Sequence, residues 1–451
     1  MGLSRVQIVT GAVSAMSSLP IRVPGSYRAS AVAAAVSVEV GDVPPGLMEA
    51  LGTVDDPRKR RGRRHGFTAL LAAGVCAVLT GARSFAAIAE WIEDAGAAQR
   101  AKLGLSRTDS PDLTTIWRLL IAVDPQQLDR AIGGWLGGLL RRRPANGRRR
   151  VVAIDGKSIR GARQRSSGED AEEDQGRAPH LMGCIDHSSG VVLAQVAVGS
   201  KTNEIPMFSV TLDQIEDLKD VLVTADALHA QREHAAYLRR REAHYLITIK
   251  ANQPTLFQQL KDLPWKDVPV AHASREKGHG RIANRQLKIV SVPAGIDFPD
   301  AQQVIQITRR TYRRPSGTKT AKARKTARKK TTTPAKQSRR KKTTAKRWMS
   351  ETIYAITSLP THQAHPAELA AWIKGHWKIE NQLHWVRDVT FAEDFSQART
   401  GAGPHTMASL RNLAISILRL DGHPNIAKAT RHTARRPDRP LAMINRVAGE
   451  T

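Results

Sequence analysis

V-V-A-I-D, Val151 to Asp155, is a run of apolar and β-branched residues that stops on an aspartate. Four apolar residues in a row, without alternation, read as a strand buried on both faces. V-L-V-T-A-D, Val221 to Asp226, repeats the pattern. Its Val221 to Thr224 segment is a second buried strand, and Tyr245 to Ile249 is another. Leu181 to Val198 reads as a hairpin turning on H-S-S-G, His187 to Gly190. Pro206 to Leu218 and Gln231 to Arg241 have helical character. The order is strand, hairpin, helix, strand, helix, strand, which implies an α/β layer architecture.

The two aspartates end their strands at turns, and the carboxyl ends of strands in an α/β sheet are where ligands bind. A third acid comes from W-K-I-E-N-Q-L-H-W-V-R-D-V-T-F-A-E-D, Trp377 to Asp394. This stretch reads as an amphipathic helix carrying Glu380. Residues four and seven apart share a face, which places Ile373, His376, Leu383, His384 and Arg387 beside Glu380. Neighbouring carboxylates repel, and one takes up a proton unless a cation offsets the charge. Divalent ions use carboxylates as hard oxygen ligands. Two such ions about 3.5–4 Å apart activate the attacking oxygen and stabilise the leaving oxygen of a phosphodiester. Oxygen ligands without a nearby cysteine favour magnesium. Asp388, Glu393 and Asp394 are rivals for the third position. His376-x3-Glu380-x3-His384 is also compatible with a zinc-binding helical face, although no His-Glu-x-x-His is present. His376, His384 and Arg387 bring basic groups to the site, and Arg387 suits a bidentate phosphate contact. Lys157 and Arg160, which follow Asp155, and Lys250 and Asn252, which follow the strand ending at Ile249, are candidates to grip a DNA backbone. Solvated loop positions are the plain alternative for them.

Seventy Lys and Arg against 41 Asp and Glu leave a formal net charge of +29 over 451 residues. Such an excess points to a polyanionic partner, nucleic acid before a membrane surface. Eighteen of the basic residues lie between Arg309 and Arg347, with no acid among them. That run lacks an apolar period and repels itself, so it is expected to stay disordered until it meets a polyanion. Leu287 to Val292, Val304 to Thr308 and Thr352 to Ile356 are β-like segments around it. Phe67 to Ala82, the longest apolar run, has 16 residues and falls short of the ~20 that span a bilayer. Cys76 and Cys184 are the only cysteines. They suit a reducing, intracellular compartment rather than a disulfide framework.

The pattern from Pro44 to Arg143 is helical. Phe67 to Leu79 is a helix, Ser84 caps one through Trp91, and Ser110-Pro111 opens one ending near Val123. These helices are compatible with a helix-turn-helix-like unit presenting Thr114, Thr115 and Arg118 to DNA, or with a plain bundle. Leu140 to Arg150 is a basic linker.

The strand order matches the ribonuclease-H-like fold, in which the first and fourth strands are neighbours. The chain as a whole resembles the DDE transposases of insertion sequences, in the ISAs-type group of the IS-four-like superfamily. The resemblance rests on A-I-D-G-K-S-I-R-G-A (153–162), K-T-N-E-I-P (201–206), T-A-D-A-L-H-A-Q (224–231), Y-L-I-T-I-K-A-N-Q-P-T-L (245–256) and G-H-W-K-I-E-N-Q-L-H-W-V-R-D-V-T-F-A-E-D (375–394). Met182 to Asp186 and H-G-R (279–281) fit it too, as do D-P-R-K-R-R-G-R-R-H-G (56–66) and G-A-R-S-F-A-A-I-A-E-W (81–91) in the helical part. It covers roughly residues 45 to 420. It implies Asp155, Asp226 and Glu380 as catalytic triad and metal ligands, with Mg2+ as cofactor and Mn2+ as substitute. It also implies a β-rich insertion between the second Asp and the Glu. The superfamily's helix carries a Tyr, an Arg, the Glu and a Lys; here Ile373, His376, Glu380 and Arg387 stand at those places, so the first two depart from it.

The expected plan is a flexible lead-in (1–43), a helical, DDE-associated N-terminal domain (44–143), and the first part of a ribonuclease-H-like core (144–253). A β-rich insertion follows (254–358), containing the disordered Lys/Arg-rich segment 313–347. The rest of the core, with the catalytic helix and the helix after it, occupies 359–425, and a basic C-terminal tail occupies 426–451. The expected function is metal-dependent strand cleavage and strand transfer on double-stranded DNA, at element ends and target. A homodimer or higher assembly would act on cytoplasmic, nucleoid DNA with no membrane partner. The alternatives are a nuclease without strand transfer, or an inactive DNA-binding remnant.

Overall fold

A computed structural model describes residues 46–449 apart from 106, 108, 144–147, 164–177, 200–202, 279 and 314–347. The lead-in at 1–43 and nearly all of the basic segment 313–347 lie outside the described residues, as does His279. By contacts the chain divides into Met1–Val43 and Pro44–Thr451.

The central apolar runs form strands, and polar edge segments add to them. These are β1 (Val151–Ser158), β2 (His180–Asp186), β3 (Val192–Val198), β4 (Leu222–Ala225), β5 (His244–Ile249), β6 (His272–Gly278), β7 (Arg281–Ser291), β8 (Gln303–Arg313) and β9 (Trp348–Thr357). The described strands make one mixed sheet ordered β3-β2-β1-β4-β5-β9-β8-β7-β6. β1, β4 and β5 are parallel neighbours, so the first and fourth strands do lie side by side. β9 pairs antiparallel with β5, and the strands of 254–358 thereby continue the same sheet. Period-two alternation splits the sheet's apolar side chains between two cores. Leu222, Leu246, Ile305 and Ala355 face one core. Val223, Tyr245, Val304 and Ile356 face the other, larger one.

The helical part supplies α1 (Leu47–Gly52), α2 (Phe67–Leu79), α3 (Phe85–Asp94), α4 (Gly96–Lys102), α5 (Leu113–Ala122) and α6 (Pro125–Arg142). α2 coincides with its predicted span and is buried almost all round, which explains its uniform hydrophobicity. Ser84 caps α3 by accepting from the Ala87 N–H. α5 begins two residues later than expected, with Asp112 rather than Ser110 at its N-cap. α6 extends to Arg142, so the first residues of the expected linker are helical. α6 packs on β3 through Gly133, where an added Cβ would collide with the Leu193 carbonyl.

Between the strands run α7 (Glu204–Leu212), α8 (Arg232–Arg240) and α9 (Pro254–Asp262). α7 stops six residues before the expected Leu218. Gln214 is drawn off to the edge of β3, where it bonds both the N–H and the C=O of Gln195. After the sheet come α10 (Pro366–Gly375), α11 (Trp385–Val389) and α12 (Gly403–Leu420). α12 is buried at every residue except Arg419 and joins the helical part to β3. The described part of the basic C-terminal segment, 426–449, contains two amphipathic helices. Ile426, Met443, Ile444 and Val447 bury one face of α13 (Ile426–Thr433) and α14 (Arg439–Ala448). No described helix is long and apolar enough to cross a membrane.

Candidate active site

Asp155 stands within β1 rather than at its end, because β1 runs on to Ser158 against β2. The parallel pairing with β4 stops at Ala153–Thr224, however, so Asp155 projects past the end of β4. Asp226 follows β4 and opens a 3-10 turn (Ala227–His229), its Oδ1 accepting from the Leu228 N–H at 2.9 Å. Glu380 sits on a π-helical turn (Ile379–His384) between α10 and α11, so the expected single α-helix is interrupted where the acid lies. Such turns occur often at functional sites.

Asp155, Glu380 and His384 form the tight group: one ligand atom from each lies within 4.8 Å of the others. His384 Nδ1 is 3.2 Å from Glu380 Oε2 and 3.7 Å from Asp155 Oδ2. Asp226 is outside this group, yet its charge bears on both Asp155 and His376. Burial pushes the Asp155 carboxyl up to about 7; the carboxylates of Glu204, Asp226 and Glu380 add to this, while the Gly156 N–H opposes it. Glu380, with its side chain 55% exposed, is held below the usual range, chiefly by its hydrogen bond with His384.

A fourth acid flanks the group. Glu204 Oε1 is 2.7 Å from His180 Nε2, and its Oε2 is 3.6 Å from His229 Nε2. These two contacts bring its carboxyl down to about 2. His180 in turn bonds Ser158 Oγ at 2.9 Å. A Cβ on Gly156 would strike Glu204 and His180, so the residue after Asp155 has to be glycine for Glu204 to approach.

A family model described as a transposase DDE domain matches residues 146–417, and one for the region associated with that domain matches residues 48–136. The chain belongs to the DDE-domain transposase family. "Putative transposase YncI" of Escherichia coli O157:H7 is 27% identical over 391 residues, 83% of this chain and 87% of that protein. "H repeat-associated putative transposase YhhI" of Escherichia coli K12 is 26% identical over 384 residues, 83% and 90% of the two chains. Among solved structures, a chain of a piggyBac transposase synaptic complex with hairpin DNA aligns at a TM-score of 0.35 and 9% identity. That match spans 89% of this chain and 79% of the other, and is too loose to bear on the fold.

In this DDE-family chain the basic residues divide by exposure. Arg160 and Lys250 are exposed and follow parallel strands, so both lie at the sheet edge that carries the acids. Asn252 is exposed, but its amide donates to the Ala227 carbonyl behind Asp226. His376 caps α10 with Nδ1 3.4 Å from Thr224 Oγ1; burial brings its pKa down to about 4, with Asp226 opposing.

Three of the DNA-contact expectations are corrected. Lys157 is buried, and its ammonium meets both oxygens of Asp388 at 2.6 and 2.7 Å. His384 is buried and aims Nδ1 at the carboxylates. Arg387 is 1% exposed and donates to Glu393 Oε2 at 2.9 Å and to Gln195 Oε1 at 3.2 Å, which leaves it no access to a phosphate. Two rivals of Glu380 fall with them: Asp388 is taken by Lys157, and Glu393 is enclosed between Arg387 and Arg411. Glu204 lies in K-T-N-E-I-P with no local signal of its role, because nothing in that stretch distinguishes an acid that meets two distant histidines.

Proposed function

We propose that this chain is a transposase that cuts and joins DNA at the ends of its own element, with Asp155, Asp226 and Glu380 as ligands for two divalent cations. The observation that carries the proposal is the crowding of anions at Asp155. Burial and three nearby carboxylates push its carboxyl up to about 7, a penalty that a bound cation removes. When bound, magnesium, or manganese in its place, activates the attacking oxygen and stabilises the leaving one. The chain's own contribution is positioning and electrostatics. β1 and the π turn fix two carboxylates against each other, and the turn after β4 supplies the third. Arg160 and Lys250 offer cations to a phosphodiester backbone at the same edge. Arg143, Arg148, Arg149, Arg150 and Arg419 line an open cavity of about 700 Å³ beside Gln382, a second basic surface for double-stranded DNA.

On this reading the core is ribonuclease-H-like, the chain falls in the ISAs-type group, and two element ends are held by a dimer or larger assembly on nucleoid DNA. Asp155→Asn or Glu380→Gln should abolish strand cleavage on a duplex carrying the element ends while leaving gel-shift binding largely intact. Normal cleavage by either variant removes the triad. Strand transfer from pre-cleaved ends separates a transposase from a nuclease that only hydrolyses.

A further inference from the structure

We infer that His384 is itself a ligand of the cation held by Asp155 and Glu380, which makes that position a mixed nitrogen and oxygen site. The inference rests on the metal-site reading above. Two donors each about 2.1 Å from one ion stand about 3.0 Å apart at a right angle and about 3.6 Å apart at 120°. His384 Nδ1 is 3.2 Å from Glu380 Oε2 and 3.7 Å from Asp155 Oδ2, so both separations fit neighbouring positions around one ion. All three ligand atoms fall within 4.8 Å of one another.

The fold prepares this arrangement. The π turn carries both Glu380 and His384, and β1 brings Asp155 to them. The His384 side chain is 6% exposed, so the ring is packed in place, and its Nδ1 is the nitrogen that faces both carboxylates. Imidazole nitrogen favours later transition ions, whereas Mg2+ prefers oxygen. The pair of cations is therefore unequal: the ion at Asp155, Glu380 and His384 tolerates Mn2+ better than an all-oxygen position does.

The test uses Mn2+ as probe on the full-length protein without DNA. Pulsed electron paramagnetic resonance of the Mn2+-loaded wild type should show the coupling of a directly bound nitrogen-14. His384→Gln should abolish that coupling, and His376→Gln should leave it. Calorimetric titration should show Mn2+ affinity falling at least about tenfold in His384→Gln, since even outer-shell changes cost a metal site ~10–100-fold. Mg2+ affinity should fall less. Mn2+ bound by the wild type without nitrogen coupling overturns the inference, and it does so whether or not the variant folds. Coupling retained in His384→Gln overturns it too, because His384 then only orients Glu380 by a hydrogen bond. If instead Asp155→Asn and Glu380→Gln bind Mn2+ like the wild type, the metal-site reading itself has failed.

Discussion

Replacing Glu393 with Gln should cost this protein more stability than any surface ion pair could. Glu393 is 0% exposed. Arg387 Nε donates to one of its oxygens and Arg411 Nη1 to the other, each at 2.9 Å. Burial works to raise the Glu393 carboxyl, and the two guanidiniums overcome this and hold it below the usual carboxylate range. At a charge separation of about 4 Å and an effective dielectric near 20, each pair is worth about 4 kcal/mol before desolvation. Gln keeps the shape and removes the charge, which leaves two buried guanidiniums facing a neutral amide. Breaking a buried pair in this way costs about 3–5 kcal/mol. The upper end is expected here because one carboxylate serves two cations. Urea unfolding of wild type and Glu393→Gln reads the difference as a shift in midpoint at unchanged slope. Adding Arg411→Met to Glu393→Gln should recover part of the loss, since one uncompensated cation goes with it. A loss below about 1 kcal/mol, the range of exposed pairs, would refute the reasoning.

Gly133→Ala should destabilise by about 1–3 kcal/mol because its Cβ meets the Leu193 carbonyl. Gly134→Ala, with open space at its Cβ, should be neutral or stabilising; equal urea midpoints for the two variants would count against the α6–β3 contact. His187 is held neutral, with its pKa brought down to about 3 by burial and by the charges of Lys378 and His376. Its folded value lies below its unfolded one, so its contribution is present above about pH 6.5 and is lost as pH falls toward 3, a matter of a few kcal/mol in total. His187→Gln should flatten that stretch of the stability–pH curve; an unchanged curve refutes it. Deleting residues 314–347 removes 15 Lys and Arg. Contacts to about 6–10 phosphates cost ~10³–10⁵ in affinity between 50 and 200 mM salt, so the deletion should weaken DNA binding and flatten its salt slope. An unchanged slope would show that the segment touches no phosphate.

The strands of the central sheet were legible because burial on both faces demands unbroken apolar runs, and those runs are short and bounded. β6 was not, because H-A-S-R-E-K-G sits on the sheet edge with most side chains in solvent or half-buried; charged edge strands discourage further pairing and carry no apolar period. The end of α7 is set by a tertiary contact that the local pattern does not carry: Gln214 leaves the helix to satisfy the backbone of an edge strand. α5 starts after Asp112 rather than Ser110, although the Asp112 side chain makes no capping hydrogen bond.

The stretch from Trp377 to Asp394 was legible as a helix bearing one acid, yet the roles of its basic residues were not. Helical spacing puts His384 and Arg387 beside Glu380 and cannot say where each side chain ends. The π-helical turn at Ile379–His384 keeps His384 with Glu380. Arg387, one turn further on, is captured by Glu393 six residues later and by Gln195 on β3. That capture has a consequence for the acids. Asp129 receives the Gln195 amide at 3.2 Å and lies 2.6 Å from His405, so the polar chain runs from α6 through β3 to α11 and α12. The segment that carries Glu380 is thus clamped at its far end by charges with no access to solvent, and pressed at its near end on the sheet by Ile379 and Leu383. A carboxylate that is itself more than half exposed is held in register by neighbours that are almost wholly buried. The buried basic side chains of this stretch, His384 and Arg387, therefore bear on the acid's position, and the proposed contacts with DNA are left to exposed residues such as Arg160 and Lys250.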